Sequence, residues 1–127
     1  MRDTQRRESM IKIILALPPS VNNLWRTTAT GGMYRSKKYT AWRKTAILNA
    51  MLQSGRKRID GPYKLTLEAV RPDKRKRDLD NLLKAASDCL VEAGIIDDSQ
   101  CEHIEARWVQ SENPCTLIVQ EINKTTE

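Results

Sequence analysis

Residues 63–94 read YKLTLEAVRPDKRKRDLDNLLKAASDCLVEAG. Tyr63, Leu65, Leu67 and Ala69 alternate with Lys64, Thr66 and Glu68. That period of two predicts a strand with one buried face. Pro72 then interrupts regular structure, and Lys74, Arg75, Lys76 and Arg77 repel one another, so an exposed loop is expected. Leu79, Leu82, Leu83, Ala86, Leu90 and Ala93 recur at helical spacing and predict a helix from about Leu79 to Ala93. Gly94 stands just past its end, where a left-handed residue closes helices.

The chain extends this unit in both directions. Downstream, an acidic turn leads to Ile104, Ala106 and Trp108, which alternate as a third strand, and Asn113-Pro114 turns into a fourth over 116–122. Upstream, Ile11, Ile13, Leu15 and Leu17 predict the first strand, ended by Pro18-Pro19. Residues 20–32, with Asn22, Asn23, Trp25, Arg26 and Gly31-Gly32, read as a loop. A helix follows from an N-cap at Ser36 to about Gln53, with Tyr39, Trp42, Ala46, Ala50 and Met51 as its apolar stripe and Gly55 closing it. The expected fold is α+β: a small mixed β-sheet in the order β-α-β-α-β-β, with helices packed on the sheet. Residues 1–9 are polar and aperiodic and read as a flexible tail; 10–127 read as one domain.

Composition narrows the function classes. The chain has 127 residues, no Phe and a net charge of +6. Its core must therefore be mainly aliphatic. Residues 1–96 hold 20 basic and 9 acidic side chains, whereas 97–127 hold 2 and 7. A basic body with an acidic end points to a polyanionic partner, most often nucleic acid. The plainer alternative is a solvated charged surface. Cys89, Cys101 and Cys115 are odd in number and have no CxxC spacing, which argues against a disulfide framework or a zinc cluster and suits a reducing cytoplasm. The longest apolar run, 13–17, is far below the ~20 residues that span a bilayer. Neither a P-loop nor a GxGxxG motif occurs, so no organic cofactor is expected. His103 is the sole histidine, which excludes sites that need two.

Chemistry concentrates around Asp78-Leu-Asp80-Asn81-Leu-Leu-Lys84. Carboxylates two residues apart at a helix start can face one ion, and the helix N-terminus favours phosphate. Magnesium prefers one or two carboxylates together with substrate phosphate oxygens and water. Such an ion activates water and neutralises charge in phosphodiester hydrolysis. Lys84 lies one turn beyond Asp80 on the polar face. Each feature also has a plain structural explanation. Asp78 is a good N-cap, Asp80–Lys84 is an ordinary i,i+4 pair, and Asp97-Asp98 suits a polar turn. Asp88 reads as a salt-bridge partner, and Glu68 as a reserve metal ligand.

The run Asp78-Leu-Asp80-Asn81-Leu-x-Lys84-Ala85-x-x-Asp88-x-Leu90-x-x-Ala93-Gly94, followed by Asp97-Asp98, resembles the RusA family of Holliday junction resolvases. The preceding basic run and Leu17-Pro18-Pro19-Ser20-x-Asn22-Asn23 extend the resemblance over roughly 11–122. It implies a homodimeric endonuclease that cuts four-way DNA junctions in recombination and repair, with Mg²⁺ or Mn²⁺. The family's catalytic and metal-binding acids carry over to Asp78, Asp80 and Asp98, and its essential lysine to Lys84. The family's form has three residues between the glycine and the acidic pair; here only Ile95 and Ile96 intervene, leaving Asp97 as an alternative to Asp98. Lys74, Arg75, Lys76 and Arg77 are expected to track the DNA backbone. Asn22 and Asn23 are expected to approach it, unless they serve only the turn. Trp25 is expected to pack, with base stacking as its alternative.

Helix geometry constrains this assignment. From Asp80 to Ala93 a helix rises about 20 Å, and the four steps from Gly94 to Asp98 reach at most ~14 Å. Asp98 therefore cannot readily return to Asp80 within one chain, and a site completed across a two-fold interface is expected. Two alternatives stand beside the resolvase: a non-catalytic nucleic-acid-binding module, and a metal-dependent nuclease of flaps or other branches.

Overall fold

The computed structural model describes residues 10–19, 25–27, 33–35, 37–74 and 78–122. The elements are β1 (Met10–Leu15), β2 (Trp25–Thr27), β3 (Met33–Arg35), α1 (Lys37–Ser54), β4 (Tyr63–Ala69), α2 (Leu79–Glu92), β5 (Cys101–Trp108) and β6 (Cys115–Glu121). Four strands form a mixed sheet in the order β1-β6-β4-β5. β6 runs antiparallel to both β1 and β4, while β4 and β5 are parallel. The expected α+β class and the β-α-β-α-β-β order of the main sheet are both present.

The sheet is one-sided because its apolar residues alternate. Ile11, Ile13 and Leu15 of β1, Leu65, Leu67 and Ala69 of β4, and Leu117 and Val119 of β6 are buried and share one core. α1 supplies Ala46 and Ala50, and α2 supplies Leu82, Ala86, Cys89 and Leu90. Arg43 of α1 bridges to Glu92 of α2 at 3.4 Å, which ties the two helices together. The opposite sheet face is polar. Lys64 pairs with Glu105 at 2.9 Å, and Arg107 clasps Glu68. All three cysteines are free thiols.

Three expectations need correction. The stretch 20–32 contains β2, which pairs antiparallel with β3, Trp25 opposite Arg35. Strands of three residues are held by main-chain bonds and are too short to show a hydrophobic period. Met51 leaves the buried stripe of α1 and is exposed, as are Leu48 and Leu52, because the contact ridge follows the i+4 row Ala46, Ala50 and Ser54. β5 begins three residues earlier than Ile104, and Ile104 itself is 51% exposed although it sits beside buried Leu65. β5 is an edge strand, and this part of it stays exposed. The N-cap expected at Ser36 falls outside the described residues.

The unit β4-α2-β5 determines where the chemistry sits. In a parallel crossover the helix runs back against its strands. The start of α2 therefore lies at the carboxyl end of β4, and its finish lies at the amino ends of β4 and β5, where Tyr63 is registered with Cys101. No helix among the described residues is long and apolar enough to cross a membrane.

Candidate active site

Asp78 is the N-cap of α2, with extended backbone angles (φ −105°, ψ 111°). Its Oδ1 accepts the Asp80 N–H at 3.0 Å, and its Oδ2 accepts the Asn81 side-chain amide at 2.9 Å. Both oxygens keep a further lone pair. Asp80 follows in the first turn, exposed, where the unpaired N–H groups of the helix favour negative charge. Lys84, one turn on, is exposed, while Leu82, Ala85, Ala86, Cys89 and Leu90 turn into the core. The stripe that buries α2 therefore leaves Asp80 and Lys84 facing water. Asp88 is half-buried on the same helix.

The second acidic pair lies at the other end of α2. Gly94 has φ +79°, its N–H reaches Val91 O at 3.0 Å, and the Ile95 N–H reaches Leu90 O at 3.0 Å. This is a Schellman closure, which needs a left-handed residue at that position. Ile95 and Ile96 are then fully buried, so the shortened spacer plugs into the core. The Ile59 N–H to Ile95 O bond (2.9 Å) and the Arg58 guanidinium to Gly94 O bond (3.0 Å) fasten the turn from outside. Asp97 caps the short 3₁₀ turn Asp98–Gln100. Its Oδ1 accepts the Ser99 N–H at 3.0 Å and the Ser99 hydroxyl at 2.8 Å. Those two bonds hold the Asp97 carboxyl below the usual carboxylate range, with Arg58 nearby acting in the same direction. Asp98 is exposed and is not the capping residue.

The two halves of the expected acid set thus stand at opposite ends of one helix. α2 has 14 residues, which corresponds to about 20 Å of rise. Among the described residues, no three His, Cys, Asp or Glu side chains gather into a metal-binding group. Glu68, the reserve ligand, is excluded from the site: it lies on the polar sheet face, held by Arg107. His103 is exposed on β5. Lys74 is exposed in the loop before α2. Arg75, Lys76, Arg77, Asn22 and Asn23 lie outside the described residues, and the packing expected of the Trp25 side chain lies outside what is described.

The donor set suits a hard divalent cation. Asp78 and Asp80 offer oxygen only, at a helix N-terminus that also attracts phosphate, and magnesium needs no more than one or two protein carboxylates beside phosphate and water.

At this same end of the fold lies a pairing that sequence reading did not bring together, although Arg71 itself is a weaker candidate for DNA-backbone contact. The Arg71 guanidinium sits 4.5 Å from the centre of the Trp108 ring. The signal was indirect: parallel register pairs Ala69 with Trp108, so the residue two beyond Ala69 reaches that ring.

Residues 16–120 match the family described as endodeoxyribonuclease RusA. The chain is 42% identical over 92 residues to the crossover junction endodeoxyribonuclease RusA of Escherichia coli K12, covering 69% of this chain and 73% of that protein. The Shigella sonnei protein of the same name gives the same figures. The crossover junction endodeoxyribonuclease of Enterobacteria phage 82 is 39% identical over 92 residues, again 69% and 73%. The chain belongs to the RusA family of endodeoxyribonucleases.

Proposed function

We propose that this chain resolves four-way DNA junctions as a two-fold dimer, with Mg²⁺, or Mn²⁺ in its place, held by Asp78 and Asp80 of one copy and Asp98 of the other. The carrying observation is the separation of the two acidic groups along α2. Two copies of α2 packed antiparallel bring each Asp78/Asp80 end beside the partner's acidic turn. A two-fold dimer then has two equivalent sites, as paired cuts in strands of like polarity require. Asp98 is preferred to Asp97 because it aligns as the second acid of the family's pair, while Asp97 serves as the cap of the 3₁₀ turn.

When bound, the divalent ion supplies an activated water and neutralises charge on the phosphodiester. The chain's own groups do the remainder. The first turn of α2 presents N–H groups and positive potential to the incoming phosphate. Asn81 holds the Asp78 carboxylate in orientation through its 2.9 Å bond. Lys84 Nζ, one turn along, donates to a non-bridging phosphate oxygen and offsets its charge in the transition state. Lys74, Arg75, Lys76 and Arg77 grip the backbone leading into the site. Asn22 and Asn23, which follow β1 in sequence, contribute further DNA contacts. A DNA substrate and three free thiols suit the cytoplasm.

Subunit complementation tests this reading. Asp80→Asn and Asp98→Asn proteins, each alone, should bind a labelled four-way junction in Mg²⁺ without cutting it. Co-expressed, they form heterodimers with one doubly substituted site and one unaltered site, so Mg²⁺-dependent nicking should return. Nicking that stays absent in the mixture would place all three acids in one copy. A wild type that binds junctions but never cuts them would leave a DNA-binding module, and a preference for flaps would indicate a different branched substrate.

A further inference from the structure

A cavity of about 400 Å³ opens at the carboxyl ends of β4 and β5, lined by Val70, Arg71, Trp108, Val109 and Gln110. It shares this end of the fold with Asp78 and Asp80. Carboxyl ends of adjacent parallel strands are where open sheets receive ligands. The walls are fixed by main-chain bonds that continue the sheet: Val109 N–H to Ala69 O at 2.8 Å, and Val70 N–H to Pro114 O at 2.9 Å. The cavity is thus preformed. Its size falls within the range of small-molecule sites.

The lining is specific in chemistry. One wall is flat and π-rich, the half-buried Trp108 indole with the exposed Arg71 guanidinium over it. Gln110 also lines the cavity and is exposed, and its side chain carries an amide with both donors and an acceptor. A free phosphate would use Arg71 but gains nothing from an indole or an amide carbonyl. A planar heterocycle with hydrogen-bonding edges uses all three. Arg and aromatic planes are the usual platforms for unstacked bases.

The geometry points to this cavity as a subsite for one unpaired nucleobase of the branched substrate, stacked on the Arg71–Trp108 pair and read at its edge by Gln110. The inference rests on the junction reading above and deepens it. Branch points supply such bases at low cost, since unstacking is cheapest where pairing is already disturbed. Seven residue steps separate Arg71 from Asp78, a reach of at most ~25 Å. The captured base therefore lies within a few nucleotides of the phosphate to be cut, so the pocket contributes to the choice of cleavage position.

The test measures binding in EDTA, where no cutting occurs. Four-way junctions carry a single abasic nucleotide, or 2-aminopurine, at each position around the crossover in turn. An abasic site keeps the phosphate and removes only the base. For the wild type, one position should show an affinity loss on the order of tenfold, and 2-aminopurine there should change its emission on binding. In Trp108→Ala that abasic penalty should vanish, and Trp108→Phe should restore it. Arg71→Lys, an exposed change that keeps the charge but not the plane, should reduce the penalty, so the outcome does not depend on whether Trp108→Ala folds. An abasic penalty of the same size in Arg71→Lys and Trp108→Ala as in the wild type overturns the subsite. So does a wild type that binds and cuts junctions with no penalty at any position; the resolvase reading then survives. A wild type that fails to bind the junction removes both.

Discussion

The Asp78 carboxylate accepts the side-chain amide of Asn81, 2.9 Å away, while its other oxygen caps the first turn of α2. One residue thus has a folding role and a proposed ion-binding role, and substitutions can separate them. Asn is as good an N-cap as Asp, whereas Ala is not. Asp78→Asn should leave stability close to wild type and abolish cleavage. Asp78→Ala should abolish cleavage and also cost about 1 kcal/mol in urea unfolding. Asn81→Ala should keep junction affinity and slow cleavage roughly 10–100-fold, as lost orienting bonds around metal ligands do. Full activity in Asp78→Asn would remove this carboxylate from the site.

The basic run at residues 74–77 is proposed to make a separable, sequence-independent contribution to DNA binding. Replacing Lys74, Arg75, Lys76 or Arg77 by Gln should weaken binding to all DNA sequences alike. Each loss of a phosphate contact should lower the slope of log affinity against log salt by about 1. Anisotropy titrations over a range of salt concentrations check this, and an unchanged slope argues against backbone contact.

The outer edge of β1 is closed by a side chain. Gln53 accepts the Ile14 N–H and donates to the Ile14 carbonyl, both at 2.7 Å, as a neighbouring strand would. Gln53→Ala should cost about 1–2 kcal/mol, from two bonds of ordinary worth. It should also bare a strand edge and promote self-association at high concentration, visible by light scattering. Unaltered stability would mean that water replaces the amide without loss.

Stability should decline in alkali. Burial pushes the Cys115 thiol up to about 12 from an ordinary value of 9.0. Burial, with Cys101 and the Asp98 and Asp97 charges nearby, also raises Tyr63. Above pH 9 the unfolded chain releases the Cys115 proton while the folded chain retains it. The folded state then binds more protons, so stability falls as pH rises between the two values, by at most ~1.4 kcal/mol per pH unit. Cys115→Ala should flatten that decline in thermal melts between pH 9 and 11; an equally steep slope in the variant would exonerate the thiol.

Much of this molecule is legible where one face is buried and the other is wet. β4 alternates residue by residue, and its buried face is the one its sequence pattern marks. α2 was legible for the same reason, together with Gly94 at its close. Legibility fails where partners are remote or bonds are main-chain only. β2 and β3 carry no period. The exposure of Ile104 goes with the place of β5 at the sheet edge. Arg71 and Trp108 are far apart in sequence and meet only through the parallel register. Asp97 and Asp98 look alike as letters; only the Ser99 bonds distinguish them.

The length of α2 also acts as a caliper. In the proposed dimer, with two copies of α2 antiparallel, the centres at its ends would lie about one helix length apart, about 20 Å for 14 residues, so the spacing of the paired cuts would follow from the length of this rod. Adding a full turn would preserve the apolar stripe yet move the centres about 5 Å farther apart. Such a protein should still fold and bind, but its two incisions should fall out of symmetry.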